Sequence, residues 1–114
     1  MNRPENALQH FDFHTHCPDT PPGRGIVCLP KNTILHDSSI WVPQKGGFYA
    51  AGVHPWWTAD ADFDLMAYCR GLKALLQHSE VVQVGECGID RVRGGAQELQ
   101  LSVMTKMVEI SETA

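Results

Sequence analysis

No two cysteines of this chain stand in C-x-x-C spacing; Cys17, Cys28, Cys69 and Cys87 are scattered singly. That argues against a finger-type structural zinc domain and against a disulfide framework. Long hydrophobic runs are missing too, and no stretch approaches the roughly 18 apolar residues that suggest a membrane span. The start, Met1-Asn2-Arg3-Pro4-Glu5-Asn6, lacks the apolar centre of a signal peptide. Free thiols and a cytoplasmic location are therefore expected. Positive charge is also scarce. Nine Lys and Arg face thirteen Asp and Glu, for a formal charge of −4, so no broad basic face can hold a polyanion by charge alone. A phosphate-bearing substrate would need metal ions.

What the chain does have is enough apolar side chain for a core. With 43% hydrophobic and 19% charged residues in 114 positions, it reads as one globular unit and not a disordered tail. A polar lead runs into Ala7 to His14, a first strand. Pro18, Pro21, Pro22, Gly23 and Gly25 then break regular structure. Ile26-Val27-Cys28-Leu29 is a short continuous apolar run, which suits a strand buried on both faces. From Lys31 to Gly47 the pattern is weak, apart from a brief extended piece at Ser39-Ile40-Trp41-Val42. Phe48 to Val53 forms the next strand and delivers His54, which Pro55 holds out of a helical conformation. Thr58 with Asp60 and Asp62 reads as a helix start. Leu65, Tyr68, Leu72, Leu75 and Leu76 continue it as an amphipathic helix over 59–78, weakened at Gly71. Val81 to Val84 is a strand that runs into Gly85-Glu86-Cys87-Gly88-Ile89-Asp90. Leu99, Val103, Met107 and Ile110 share one face of a closing helix.

Short, apolar strands interleaved with helices argue for a parallel sheet, an α/β architecture. Within it, His14 and His16 lie two residues apart in an extended segment, so both point to one face and their ring nitrogens can converge on one ion. By itself such a pair is more often the mark of a surface strand that happens to carry two histidines. Here His14 with His16, His54 and Glu86 each close a different strand at its C-terminal end, where barrels of alternating strands and helices build their active sites. Neutral imidazoles and a carboxylate suit divalent zinc, iron, manganese or nickel.

His14-Thr15-His16, Gly52-Val53-His54-Pro55 and Gly85-Glu86-Cys87-Gly88-Ile89-Asp90, followed by the glutamine-bearing helix from Gln97, resemble the TatD family of metal-dependent hydrolases and deoxyribonucleases in the amidohydrolase superfamily. The resemblance implies a (β/α)8 barrel, of which residues 1–114 would form about the first half. It implies hydrolysis of phosphodiester bonds, in DNA or smaller phosphate esters, by metal-activated water with two divalent ions such as zinc, magnesium or manganese. His14, His16 and Glu86 would be metal ligands, and His54 would stand in the active site beside the substrate phosphate. The sequence departs from the family's pattern in places. The segment between His16 and the Gly52-Val53-His54-Pro55 motif is short and Pro-rich where a helix is usual, and Cys87 replaces the usual aliphatic residue or threonine after the glutamate. The family's later ligands, two histidines and an aspartate, have no counterparts.

The alternative is a partial barrel without activity, retaining a weak metal site or none. A half barrel leaves strand edges unpaired, so self-association and very low nuclease activity are expected of this chain. Two imidazoles and one carboxylate make an open, weak site, because a closed one needs four ligands. Among the remaining candidates, Trp56 and Trp57 are expected to pack on the following helix and not to stack on bases. Arg91 and Arg93 fit a solvated loop, and Cys17 and Cys87 serve as small side chains. His10, His36 and His78 fit no motif.

Overall fold

A computed structural model describes residues 11–113. Four strands, β1 (Asp12–Thr15), β2 (Gly25–Cys28), β3 (Phe48–Ala51) and β4 (Val81–Val84), form one sheet in the order β1-β2-β3-β4. Every neighbouring pair is parallel. Among the described residues three helices accompany them: α1 (Lys31–Leu35), α2 (Leu65–Leu75) and α3 (Gln97–Thr113), with a 3-10 turn at Pro55–Ala59. The α/β architecture inferred from the strand runs is therefore the observed one, and strands in sequence order are what a segment of a (β/α)8 barrel shows. The part of the first strand placed before Phe11 lies outside the described residues. Among those residues no helix is long and apolar enough to cross a membrane.

Alternation along the strands sorts their side chains onto two faces. Val27, Leu29, Tyr49, Ala51, Val53 and Val81 join Ile34, Tyr68, Leu72 and Leu75 from α1 and α2, and Val103, Met107 and Ile110 from α3, in one core. The intervening residues Cys28 and Ala50 line a cleft on the opposite face. Period-2 side-chain placement thus gives β2 and β3 one face for packing and one for the site.

The long helix expected over 59–78 is split. Pro55 opens a tight 3-10 turn, and α2 begins only after Asp64, whose carboxylate accepts from the amides of Met66 and Ala67 at 3.0 and 3.3 Å. Asp64 is thus the capping residue, satisfying amides that the helix leaves without partners. Thr58, assigned that role from sequence, is buried instead; its hydroxyl donates to the Pro55 carbonyl at 2.6 Å and accepts from the Gly95 amide at 2.8 Å. The weak stretch after β2 contains α1, whose Ile34 is fully buried against α2. Residues 39–42 are turn and loop, with Ile40 and Val42 exposed and Trp41 packed edge-on against Tyr49. Lys31 reaches Asp60 at 2.8 Å and links the start of α1 to the loop before α2.

Candidate metal centre

β1 and β4 are the outer strands of the sheet, three strand spacings of about 4.8 Å apart, yet their terminal side chains meet. Inward curvature of the sheet brings this about, as it does in a closing barrel. Glu86 Oε2 lies 3.2 Å from His14 Nε2, 3.3 Å from His16 Nε2 and 4.0 Å from His54 Nε2. The structure thus brings together all four residues singled out from the strand ends. The two rings of the His14-Thr15-His16 pair stand edge-on, with centroids 5.1 Å apart.

Local structure explains each placement. His14 and His16 share a face because they are two apart at the end of β1. Glu86 follows β4 through a cis Gly85–Glu86 peptide. Its neighbour Gly85 donates from its amide to the Ala51 carbonyl at 3.0 Å. A Cβ on Gly52 would sit only 2.6 Å from the Gly85 carbonyl carbon, so the ends of β3 and β4 can approach this closely only with glycine there. His54 caps the 3-10 turn, its Nδ1 accepting from the Trp56 amide at 3.1 Å. A neutral imidazole that accepts at Nδ1 carries its proton on Nε2. His54 therefore presents a donor to the site, whereas a ligand would have to present a lone pair there.

One residue of this group escaped the sequence reading. Cys28 Sγ is 3.4 Å from His14 Nδ1 and 4.0 Å from its Nε2, and one donor atom each from His14, His16, Cys28 and Glu86 fall within 4.8 Å of one another. Burial pushes the Cys28 thiol up to about 11, with the Glu86 carboxylate adding to the effect, so without a cation the sulfur is a neutral thiol. The signal was present in the sequence: Cys28 closes its strand at the C-terminal end, as the other three do. It was hidden because cysteine inside an apolar run reads as a small hydrophobe.

The donor set fits a divalent ion. Imidazole, carboxylate and thiolate are the side chains that bind zinc and its neighbours, and the His14 and His16 side chains are 59% and 63% exposed, which leaves the site open to an ion. Beside it runs a cleft of about 390 Å³ lined by Phe13, Ala50, Gln83 and Cys87 together with His14, Cys28, His54 and Glu86. That is room for a phosphate group as well as the ion.

The rim is buttressed by the loop after Glu86. Gln100, 1% exposed on α3, accepts from the Asp90 amide at 2.7 Å and donates to the carbonyls of Asp90 and Gly95 at 3.0 and 2.7 Å. The Asp90 carboxylate accepts from the Val92 and Arg93 amides and, at 2.6 Å, from Trp56 Nε1. These bonds hold its pKa below the ordinary value, the Arg93 amide contributing most. Arg93 is solvent-exposed, as expected, and lies over the Trp56 ring at 4.7 Å. Of the two tryptophans, Trp57 stacks on Tyr68 of α2 as expected, whereas Trp56 is 45% exposed and belongs to this loop network. Removing the Gln100 amide would leave the Asp90 amide and the Gly95 carbonyl without this partner, while the Asp90 carbonyl keeps the Gly94 amide at 3.2 Å; a backbone group left unpaired costs about 1–3 kcal/mol. Gln100→Ala is expected to lower unfolding stability by about 3 kcal/mol in urea titrations, whereas a loss below about 0.5 kcal/mol, the range of neutral surface changes, would mean that water replaces the amide.

A parallel α/β sheet here brings two imidazoles, a thiol and a carboxylate together at the carboxyl ends of its strands, a group that could hold a metal ion. The chain belongs to the TatD related DNase family, whose model matches residues 25–114. The match begins after His14 and His16, so the place of that pair in the site rests on the geometry. No curated protein and no solved structure matched the chain.

Proposed function

We propose that the chain is the N-terminal part of a TatD-type metal-dependent phosphodiesterase acting on DNA or smaller phosphate esters. Family membership supports hydrolase or nuclease chemistry at the family level. The observation that carries the reading further is the convergence of His14, His16 and His54 on one oxygen of Glu86. His14, His16 and Glu86 would hold divalent metal, the carboxylate being the group able to bridge a second ion. Bound there, such ions supply an activated water and positive charge opposite the phosphate oxygens.

The chain's own residues then divide the work. The two imidazoles of β1 and the carboxylate after β4 would hold the ion at the rim. His54, its proton on Nε2, donates a hydrogen bond to a phosphate oxygen and stabilises charge that grows there during hydrolysis. Because His54 is oriented by the Trp56 amide, that donor is in place before substrate arrives.

The test is hydrolysis of single-stranded DNA and of a chromogenic phosphodiester by the purified chain with zinc, magnesium or manganese. Low, chelator-sensitive turnover is expected. Loss of one preorganised donor typically lowers turnover by about 100-fold or more, so His54→Ala should show that loss while still taking up metal. Metal uptake with no turnover on either substrate would leave the inactive partial barrel as the better reading.

A further inference from the structure

We propose that Cys28 is a metal ligand, its thiolate completing a His14–His16–Glu86–Cys28 set that selects zinc-class ions over magnesium. This rests on the reading of His14, His16 and Glu86 as ligands and adds the residue that determines which ion they hold.

The distances argue for it. A tetrahedral ion with bonds of about 2.0–2.3 Å to nitrogen, oxygen and sulfur separates its ligand atoms by about 3.3–3.6 Å. Glu86 Oε2 stands 3.2 and 3.3 Å from the two Nε2 atoms, and Cys28 Sγ stands 4.0 Å from His14 Nε2. Two edges of the polyhedron are thus near their final lengths, a sub-ångström shift of the sulfur closes a third, and one donor atom from each of the four residues lies within 4.8 Å of the others. Strand register adds a second argument. Val27 and Leu29 point into the core, so Cys28 between them points to the cleft. β2 pairs directly with β1, which sets the sulfur beside the His14 ring. The charges agree as well. Two neutral imidazoles, one carboxylate and one thiolate neutralise a divalent ion, whereas the set without sulfur leaves one positive charge uncompensated.

Coordination breaks the S–H bond, forms a metal–sulfur bond and releases the proton to solvent; no electrons are transferred. The expectation of a weak, open three-ligand site is changed accordingly. A soft sulfur donor favours zinc, cobalt or ferrous iron, while magnesium prefers oxygen ligands and water. Four protein donors would hold such an ion more firmly than three.

The experiment is titration of the whole chain with Co²⁺ as a spectroscopic probe, then displacement by Zn²⁺ and challenge with Mg²⁺. A thiolate-to-cobalt charge-transfer band in the near ultraviolet is expected, with the strong visible bands of a four-coordinate ion. Cys28→Ser should lose the charge-transfer band and bind zinc at least about tenfold more weakly, by analogy with losses at supporting residues, while Cys17→Ser and Cys87→Ser keep both. X-ray absorption of the unmutated, zinc-loaded chain needs no variant and should show one sulfur at about 2.3 Å. Cobalt held through imidazole and carboxylate alone, with no charge-transfer band and no sulfur scatterer, would overturn the role of Cys28 and leave the proposed function standing. Failure to take up cobalt or zinc at all would overturn both.

Discussion

Glu86→Gln is expected to weaken zinc uptake by about 100-fold or more, taking the 10–100-fold losses seen at supporting residues as a lower guide. The amide has nearly the volume of the carboxylate but lacks its charge and one of its two acceptor oxygens. Oε2 of Glu86 is the point on which three imidazoles converge, two of them within 3.3 Å, so no other side chain can replace it without moving a strand. The change should appear in two independent readouts. Competition against a chromophoric chelator gives the affinity. Thermal unfolding gives its linkage, because a ligand at 100 times its Kd stabilises the folded state by about 2.7 kcal/mol, and a 100-fold weaker site loses most of that at the same zinc concentration. Without metal, the variant and the parent should unfold alike. A Kd within about threefold of the parent's, well inside a single tenfold step of 1.4 kcal/mol, would show that the carboxylate is not a ligand.

Gly71→Ala is expected to destabilise the chain by roughly 3 kcal/mol or more. Here two effects have opposite signs and magnitude decides between them. Helix propensity favours alanine by about 1 kcal/mol, and the sequence reading accordingly treated Gly71 as a weak point of its helix. In the structure, a Cβ at Gly71 would overlap the Ile34 carbonyl oxygen and come within 2.8 Å of the carbonyl carbon. Those are backbone atoms, so no rotamer change can relieve the overlap, and α1 would have to move off α2. Ile34, Leu72 and Leu75 are each fully buried, and forcing apart a close-packed core costs about 1–3 kcal/mol and sometimes more. The steric cost wins. Urea titrations of the two proteins decide the point, and equal or higher stability for Gly71→Ala would mean that α1 is free to shift.

Much of the site was legible because its residues are local signals. His14 and His16 share a face through the two-residue period of an extended chain, Pro55 marks the break after His54, and Glu86 follows an apolar run that could only be a strand. None of these inferences needs to know what lies across the sheet. The strand runs at 26–29, 48–53 and 81–84 were readable on the same ground, each appearing within two residues of its observed limits. The helix start was misplaced because Thr58 and Asp64 are both good caps by residue type, and the choice between them depends on Gly95, which occupies the Thr58 hydroxyl from 37 positions away.

What the tertiary structure alone decided are the relations between segments distant in sequence. Periodicity says that alternate residues of β2 face opposite ways, but not which set faces the cleft. The parallel register with β1 and β3 settles that and places Cys28 beside His14. Gly71 changes from a flaw in a helix to the point where two helices touch, and Gln100 from one polar residue among many to the support of a loop. Hydrophobic periodicity and turn chemistry act over a few residues and are written in the order of the amino acids; register, helix crossing and buried hydrogen bonds are set by which surfaces meet, and those exist only once the sheet has formed.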